Sequence, residues 1–409
     1  MSLDPALSRF AAALGLTLAL TACGGGGGAS TPATPPAPVT DPVAGGDAPD
    51  DASGVRVYAA TAAPAKLSAW RVVASDGGTL TLGERVVPYA LNTPLFSDYA
   101  HKLRTLWVPP GTQIAETASG PLQFPVGAVV TKTFYYPKAA AQTAGAVGAR
   151  RVEQVEGGEA IDLATHHLVE TRLMVRQSDG RWGAVTYVWD ADQRDATLVR
   201  SGTTRSVELV ADGGARTVFT YQVPTDRQCV DCHATNATTR RFEPIGPQAR
   251  HMNRSYAYAA GVANQLEHLR GLGLLAGDSA GTPATTVWND PAATVEARAR
   301  AYLDVNCSSC HNPVGRSGST GLWLGADVAS AASLGVCKPP VGGAQHQRFA
   351  YDIKPGDPDA SFLYHRLTNY RPNSDPPRVA MPELGRHVFD AEGNALVRAW
   401  IAAMPANCP

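Results

Sequence analysis

The chain has little of what would put it across a bilayer or onto a nucleic acid. No internal stretch reaches the roughly eighteen consecutive apolar residues of a membrane-spanning helix. Charge is sparse and balanced: 35 Lys and Arg against 36 Asp and Glu leave a net −1, so no basic surface is on offer to nucleic acid or anionic lipid. Methionine is scarce, at 5, which keeps the set of possible thioether ligands small. Cysteine is scarce too, at 7, and its distribution is the most informative feature present. A length of 409 residues still leaves material for roughly two or three domains.

Most of the cysteines fall in two copies of one pattern, Cys229-Val230-Asp231-Cys232-His233 and Cys307-Ser308-Ser309-Cys310-His311. Cys-x-x-Cys-His is the attachment signature of a covalent c-type haem. Two thiols three positions apart add to the two vinyl groups of one porphyrin, and the histidine that follows offers an imidazole nitrogen to the iron. The competing readings of Cys-x-x-Cys are a redox dithiol and half a zinc site, and zinc normally wants four ligands closing a tetrahedron. Two copies, each with its histidine and in a chain with an export signal, point to haem. The cofactor expectation is two covalent haem c groups, tethered by Cys229, Cys232, Cys307 and Cys310, with His233 and His311 on the irons.

Cys23, Cys337 and Cys408 remain. Cys23 follows the apolar run Phe10 to Leu20, and Leu20-Thr21-Ala22-Cys23 resembles a bacterial lipoprotein cleavage box, although Arg9 is the single positive charge before it and Asp4 opposes that charge. Cleavage before Cys23 and acylation there would anchor the protein stably in a membrane. Gly24, rather than aspartate, follows Cys23 and favours the outer membrane. In an oxidising periplasm the pair Cys337 and Cys408 is most simply a disulfide, two unpaired thiols being the alternative.

Segment 24–54 is glycine, proline, threonine, alanine and aspartate with almost no large apolar side chain, and reads as a tether that cannot fold. Segment 55–225 turns to short runs of valine, threonine and aromatics. Turn signals sit at Ser178-Asp179-Gly180 and Asp212-Gly213-Gly214, so hairpins are expected on either side of each. Asp190, Asp192 and Asp195 lack the glycine and final glutamate of a calcium loop and read as a solvated turn. After Cys229, the residues Tyr258, Val262, Leu266 and Leu269 fall on one helical face. Val295, Ala299, Tyr302 and Leu303 predict a helix leading into Cys307, and Leu396, Val397, Trp400, Ile401 and Met404 predict another at the C-terminal end. The expected fold is therefore an antiparallel β-sandwich-like domain over 55–225, followed by two mainly α-helical cytochrome c-type haem domains. Their expected bounds are 226–285 and 286–409, with 1–23 as the signal.

Met381, in Ala380-Met381-Pro382-Glu383 ahead of the last helix, is the candidate sixth ligand of the second iron, since thioether sulfur stabilises ferrous iron. For the first iron the candidates are Met252, then His251, then His268, with a five-coordinate iron kept open. His166, His167, His346, His365 and His387 read as surface or structural residues.

Several stretches outside the haem motifs carry a resemblance: Tyr89-Ala90-Leu91-Asn92-Thr93-Pro94-Leu95-Phe96-Ser97-Asp98-Tyr99-Ala100, Lys132-Thr133-Phe134-Tyr135-Tyr136-Pro137, Pro244-Ile245-Gly246-Pro247 and Gly335-Val336-Cys337-Lys338-Pro339-Pro340. From about Val55 to Cys408 the chain resembles an exported bacterial family of dihaem c-type cytochromes, sometimes encoded beside parallel β-helix repeat proteins. The resemblance implies two covalent haems and an envelope location, and supplies no substrate. The leading functional expectation is a lipid-anchored, periplasm-facing electron-transfer protein whose β domain docks a redox partner in the envelope, with no part for nucleic acid. A dihaem peroxidase-type oxidoreductase with an open first haem is the alternative. A non-catalytic envelope module, binding protein or glycan through its β domain, is a third.

Overall fold

The computed structural model describes residues 54–117, 120–155, 157–277, 281–342, 346–369, 380–383, 385–405 and 407–408. Cys23 and the expected signal and tether, save Gly54, lie outside the described residues. The described residues all belong to one compact unit.

Six antiparallel strands form the central sheet, in the spatial order Ala196–Leu198, Trp182–Trp189, His166–Arg176, Val129–Pro137, His101–Trp107 and Val87–Tyr89. Valine, threonine and aromatic side chains dominate these strands, and they suit a pleated, half-buried surface. The turn signals act where expected. His166–Arg176 pairs with Trp182–Trp189 across residues 177–181, and Thr203–Val210 pairs with Arg216–Val223 across 211–215.

Alternation along the strands gives the sheet two different faces. On one, Leu103, Trp107, Val129, Leu173, Val175, Val185 and Tyr187 are buried with Trp70, Leu80 and Ile161. Leu80 and Ile161 come from a small sheet of Val73–Ser75, Thr79–Leu82 and Ala160–Asp162. The other face is divided. At one end Leu106, Val130, Met174 and Trp182 pack with Met252, Tyr256, Tyr258, Leu266 and Leu269. At the other, Phe134, Tyr136 and Val188 pack with Val207, Phe219 and Tyr221 of a third sheet, which also holds Val147–Arg150. Between the two apolar patches lie Arg104, Lys132 and Arg172, in direct cross-strand register.

The expected fold class needs correction. The described chain is mostly β, and its six α-helices are short; four of them, Cys229–His233, Ala249–Met252, Gln265–Gly271 and Phe362–Thr368, run seven residues or fewer. Neither 226–285 nor 286–409 is a mainly α-helical domain. In the first segment the apolar spacing that suggested a helix from Tyr258 belongs instead to a hairpin, Ser255–Tyr258 with Gly261–Asn264, followed by the short helix. Gly261 takes φ 124°, open to glycine and strained for other residues, and turns the chain back before a helix can propagate. Asn264 then caps the helix, its Oδ1 accepting from Leu266 N–H at 3.0 Å. This segment has no core of its own, since its apolar side chains bury against the central sheet.

The second segment does have its own core, built from Ala299, Tyr302, Leu303, Leu324, Ile353, Leu363, Val397, Trp400 and Ile401. Helices Val295–Cys307 and Ala391–Ala403 cross there, as the two amphipathic patterns required. They approach closely at Gly393, where an added Cβ would sit 2.4 Å from the Tyr302 ring. No described α-helix lies between Cys307 and Phe362, where the described residues form turns, loops and short 3-10 helices. Among the described residues no helix is long and apolar enough to cross a membrane.

Candidate functional site

The first Cys-x-x-Cys-His segment follows the strand Arg216–Val223 almost at once. Thr225 and Gln228 brace each other ahead of it, Thr225 N–H donating to Gln228 Oε1 at 2.9 Å and Gln228 N–H to Thr225 Oγ1 at 3.3 Å. Cys229 to His233 then make a single short helix with both thiols half-buried and unpaired. His233 Nδ1 lies 2.8 Å from the Glu243 carbonyl oxygen, and Glu243 N–H donates back to the His233 carbonyl at 3.0 Å. The ring is therefore fixed through Nδ1, and Nε2 makes no hydrogen bond to a described residue. Burial, with Lys132 adding to it, pushes His233 down to about 4, so the imidazole stays neutral as a metal ligand must be.

The second segment repeats this arrangement on another support. Helix Val295–Cys307, capped by Thr294 Oγ1 accepting from Ala297 N–H at 3.1 Å, delivers Cys307 as its last residue. His311 N–H closes the turn on the Cys307 carbonyl at 2.9 Å. His311 Nδ1 lies 3.2 Å from the Leu322 carbonyl oxygen, and its Nε2 is likewise unengaged among the described residues. Burial again lowers His311. Fixing an imidazole through the nitrogen that will not meet the metal is how ligating histidines are oriented.

The two segments, far apart in sequence, touch. Cys310 Sγ lies 3.7 Å from the Asp231 carbonyl oxygen, Asn312 Nδ2 donates to the Thr235 carbonyl at 3.2 Å, and Ala237 N–H donates to the Val314 carbonyl at 2.7 Å. Arg316 pairs with Asp231 at 3.1 Å on the exposed rim. Asp304, one turn before Cys307, is bound by Arg250 through both carboxylate oxygens at 3.0 Å.

Cationic side chains flank both segments. Lys132 and Arg172 act electrostatically on His233 and Cys232, and Arg172 acts on Cys229. Arg386 does the same for Cys307. Arg386 is 3% exposed, and while its Nη1 donates to the Leu367 carbonyl at 3.2 Å, its Nε and Nη2 have no partner among the described residues. A buried guanidinium with two unused donors beside an attachment cysteine fits a porphyrin, which carries carboxylates. The oriented imidazoles and unpaired thiols fit it as well. Among the described residues no group of three or more His, Cys, Asp and Glu is disposed to hold a metal ion, whereas haem asks only one imidazole from each segment.

The expected sixth ligands are distributed as follows. Met381 N–H donates to the Arg366 carbonyl at 2.8 Å; Arg366 acts on His311, and Glu383, two residues beyond Met381, acts on Cys310. Met381 is thereby tied into the surroundings of the second segment. Met252 is fully buried in the apolar patch with Leu266 and Tyr256. Both ring nitrogens of His251 are engaged, Nδ1 3.1 Å from Thr285 Oγ1 and Nε2 3.3 Å from Asp304. His268 stacks on Tyr258 with ring centroids 3.7 Å apart. Cys337 and Cys408 are joined by a disulfide.

Three features escaped sequence reasoning: the cationic row, Arg386, and the contact between the segments. The first had a signal, because Val130, Lys132, Phe134 and Tyr136 share one face of a strand and a lysine there interrupts an apolar pattern. Comparison of the chain with models of protein families, with curated proteins and with solved structures finds no match.

Proposed function

We propose that the chain is a dihaem c-type cytochrome that passes single electrons between partners in the bacterial envelope. One observation carries this reading: two Cys-x-x-Cys-His segments abut, each with its imidazole held at Nδ1 by a backbone carbonyl. Haem bound there supplies a one-electron iron couple. The chain's residues do the rest: four thiols tether, His233 and His311 present Nε2, and Arg386 offers unused donors beside Cys307. The contact of Cys310 with the Asp231 carbonyl brings two attachment edges together, which favours electron exchange within the molecule. The lipobox at Cys23 supports an anchored, periplasm-facing location, with a redox partner protein approaching from that side.

A second reading, peroxidase-type chemistry at an open first iron, is favoured by the engagement of both His251 and Met252 in the core. One experiment separates the two. Protein matured in a host with c-type haem assembly machinery is examined by optical spectroscopy, oxidised and reduced, before and after cyanide or carbon monoxide, together with Met381→Ala. Electron transfer alone predicts two low-spin irons indifferent to added ligand, and a lowered potential for one haem in Met381→Ala. Ligand binding by one iron of the unaltered protein would favour the peroxidase-type reading. Failure to acquire covalent haem would sink both.

A further inference from the structure

The middle of the central sheet carries three cationic side chains in one cross-strand row. Arg104 on the strand His101–Trp107 faces Lys132 on Val129–Pro137, and Lys132 faces Arg172 on His166–Arg176. Like charges directly opposite each other across strands are destabilising. Glu170 lies buried on this face, and its oxygens are engaged, Oε2 by Arg172 Nε at 2.9 Å and Oε1 by Arg172 Nη2 at 2.5 Å and the Tyr221 hydroxyl at 2.6 Å. Lys132, half-buried, lies over the Phe134 ring with Nζ 5.3 Å from its centroid and makes no hydrogen bond to a described residue. Burial, then Arg172 and Arg104, push its ammonium down to about 7, with Glu170 only partly opposing them. Lys132 and Arg172 are also the residues that act on Cys229, Cys232 and His233.

We propose that Arg104, Lys132 and Arg172 form a binding site for a carboxylate-class oxyanion beside the first Cys-x-x-Cys-His segment. This rests on the haem reading above. Two sources share the chemistry, a carboxylate side chain of the porphyrin itself and a small free oxyanion drawn toward the iron. Either one makes the β region a wall of the first redox site.

The test uses the haem-loaded full chain, with Lys132→Met and Arg104→Met, in optical redox titrations with sodium formate against sodium chloride at equal ionic strength. The second haem is the internal reference. If a porphyrin carboxylate occupies the row, each variant shifts the first haem's equilibrium toward the ferric form by about tenfold, or about 59 mV, and formate changes nothing. If the site takes a free oxyanion, formate shifts the first haem's spectrum saturably and the variants lose at least about tenfold in that affinity, the effect of one charge-assisted contact. The proposal is overturned if both variants keep covalent haem and a native circular dichroism spectrum yet match the unaltered protein in potential and formate response. Should Lys132→Met fail to fold, Arg104→Met decides alone. A chain that takes up no haem overturns the haem reading instead; calorimetry of formate on the apoprotein then decides the site, which falls if nothing binds.

Discussion

His101 is buried on its strand, with Nε2 3.0 Å from the Val152 carbonyl oxygen. Burial pushes it down to about 4, with Lys102 and His166 pushing the same way and the hydrogen bond opposing. An imidazole depressed on folding contributes stability that is complete above roughly pH 6.5, its unperturbed value, and is lost as pH falls through the folded value. Between pH 7 and pH 4 the loss is about 3 kcal/mol. Urea unfolding of the unaltered chain and of His101→Gln at both pH values measures it: the variant should lose about 3 kcal/mol less on acidification. Identical pH dependence would show that His101 does not titrate as its surroundings dictate. The same residue-scale logic applies to His233 and His311. A neutral imidazole with Nδ1 already committed is prepared to ligate, and the motif's spacing alone does not reveal that preparation.

At the scale of elements, the stretch Asn92 to Ala100 between two strands of the central sheet works as a clamp on the second Cys-x-x-Cys-His segment. Phe96 N–H donates to Asn306 Oδ1 at 2.8 Å, one residue ahead of Cys307. Asp98 accepts from the backbone N–H of His387 and, at 2.9 Å, of Val388. The Tyr99 hydroxyl donates to Glu392 at 2.7 Å. This block joins the sheet to the end of the helix Val295–Cys307 and to the start of the helix Ala391–Ala403. Within that segment the helix crossing turns on Gly393. Glycine to alanine inside a helix ordinarily stabilises by roughly 0.5–1 kcal/mol. Here the new methyl would meet the Tyr302 ring, which the Asp390 carboxylate holds through the phenol at 2.7 Å, so Gly393→Ala should instead destabilise by about 1–3 kcal/mol. A rise in the urea midpoint would show that Tyr302 moves aside freely.

For the molecule as a whole, the bond between Cys337 and Cys408, 71 residues apart, closes a loop that contains the helices Phe362–Thr368 and Ala391–Ala403 and Met381 between them. Closing a loop of that length removes conformational freedom from the unfolded chain worth about 4 kcal/mol. The double variant Cys337→Ser, Cys408→Ser should lose about that much stability in denaturant unfolding, and the effect should fall on the second segment, whose core lies within and beside the loop. An unchanged midpoint would mean that the loop is already restrained when unfolded. At this scale the division into a β domain and two haem domains gives way to a sheet carrying the first segment on its divided face, with the second segment joined through Arg250, Asp304 and the Asn92 to Ala100 stretch.

What the chain's letters determined by themselves is local. Each Cys-x-x-Cys-His segment sets two thiols and a histidine within five consecutive positions. Strand alternation and turn residues specify one hairpin of the central sheet and one of the third, and the apolar spacing before Cys307 and after Asp390 specifies two helices. The hairpin at 255–264 was not legible, because short apolar runs fit both periods and a single glycine turn decides between them. Tertiary structure alone decided that the two Cys-x-x-Cys-His segments touch, that Lys132 and Arg172 act on the first and Arg386 on Cys307, and that His251 and Met252 are held in the core. Each of these depends on residues distant in sequence meeting across packed faces, and neither spacing nor composition carries that information.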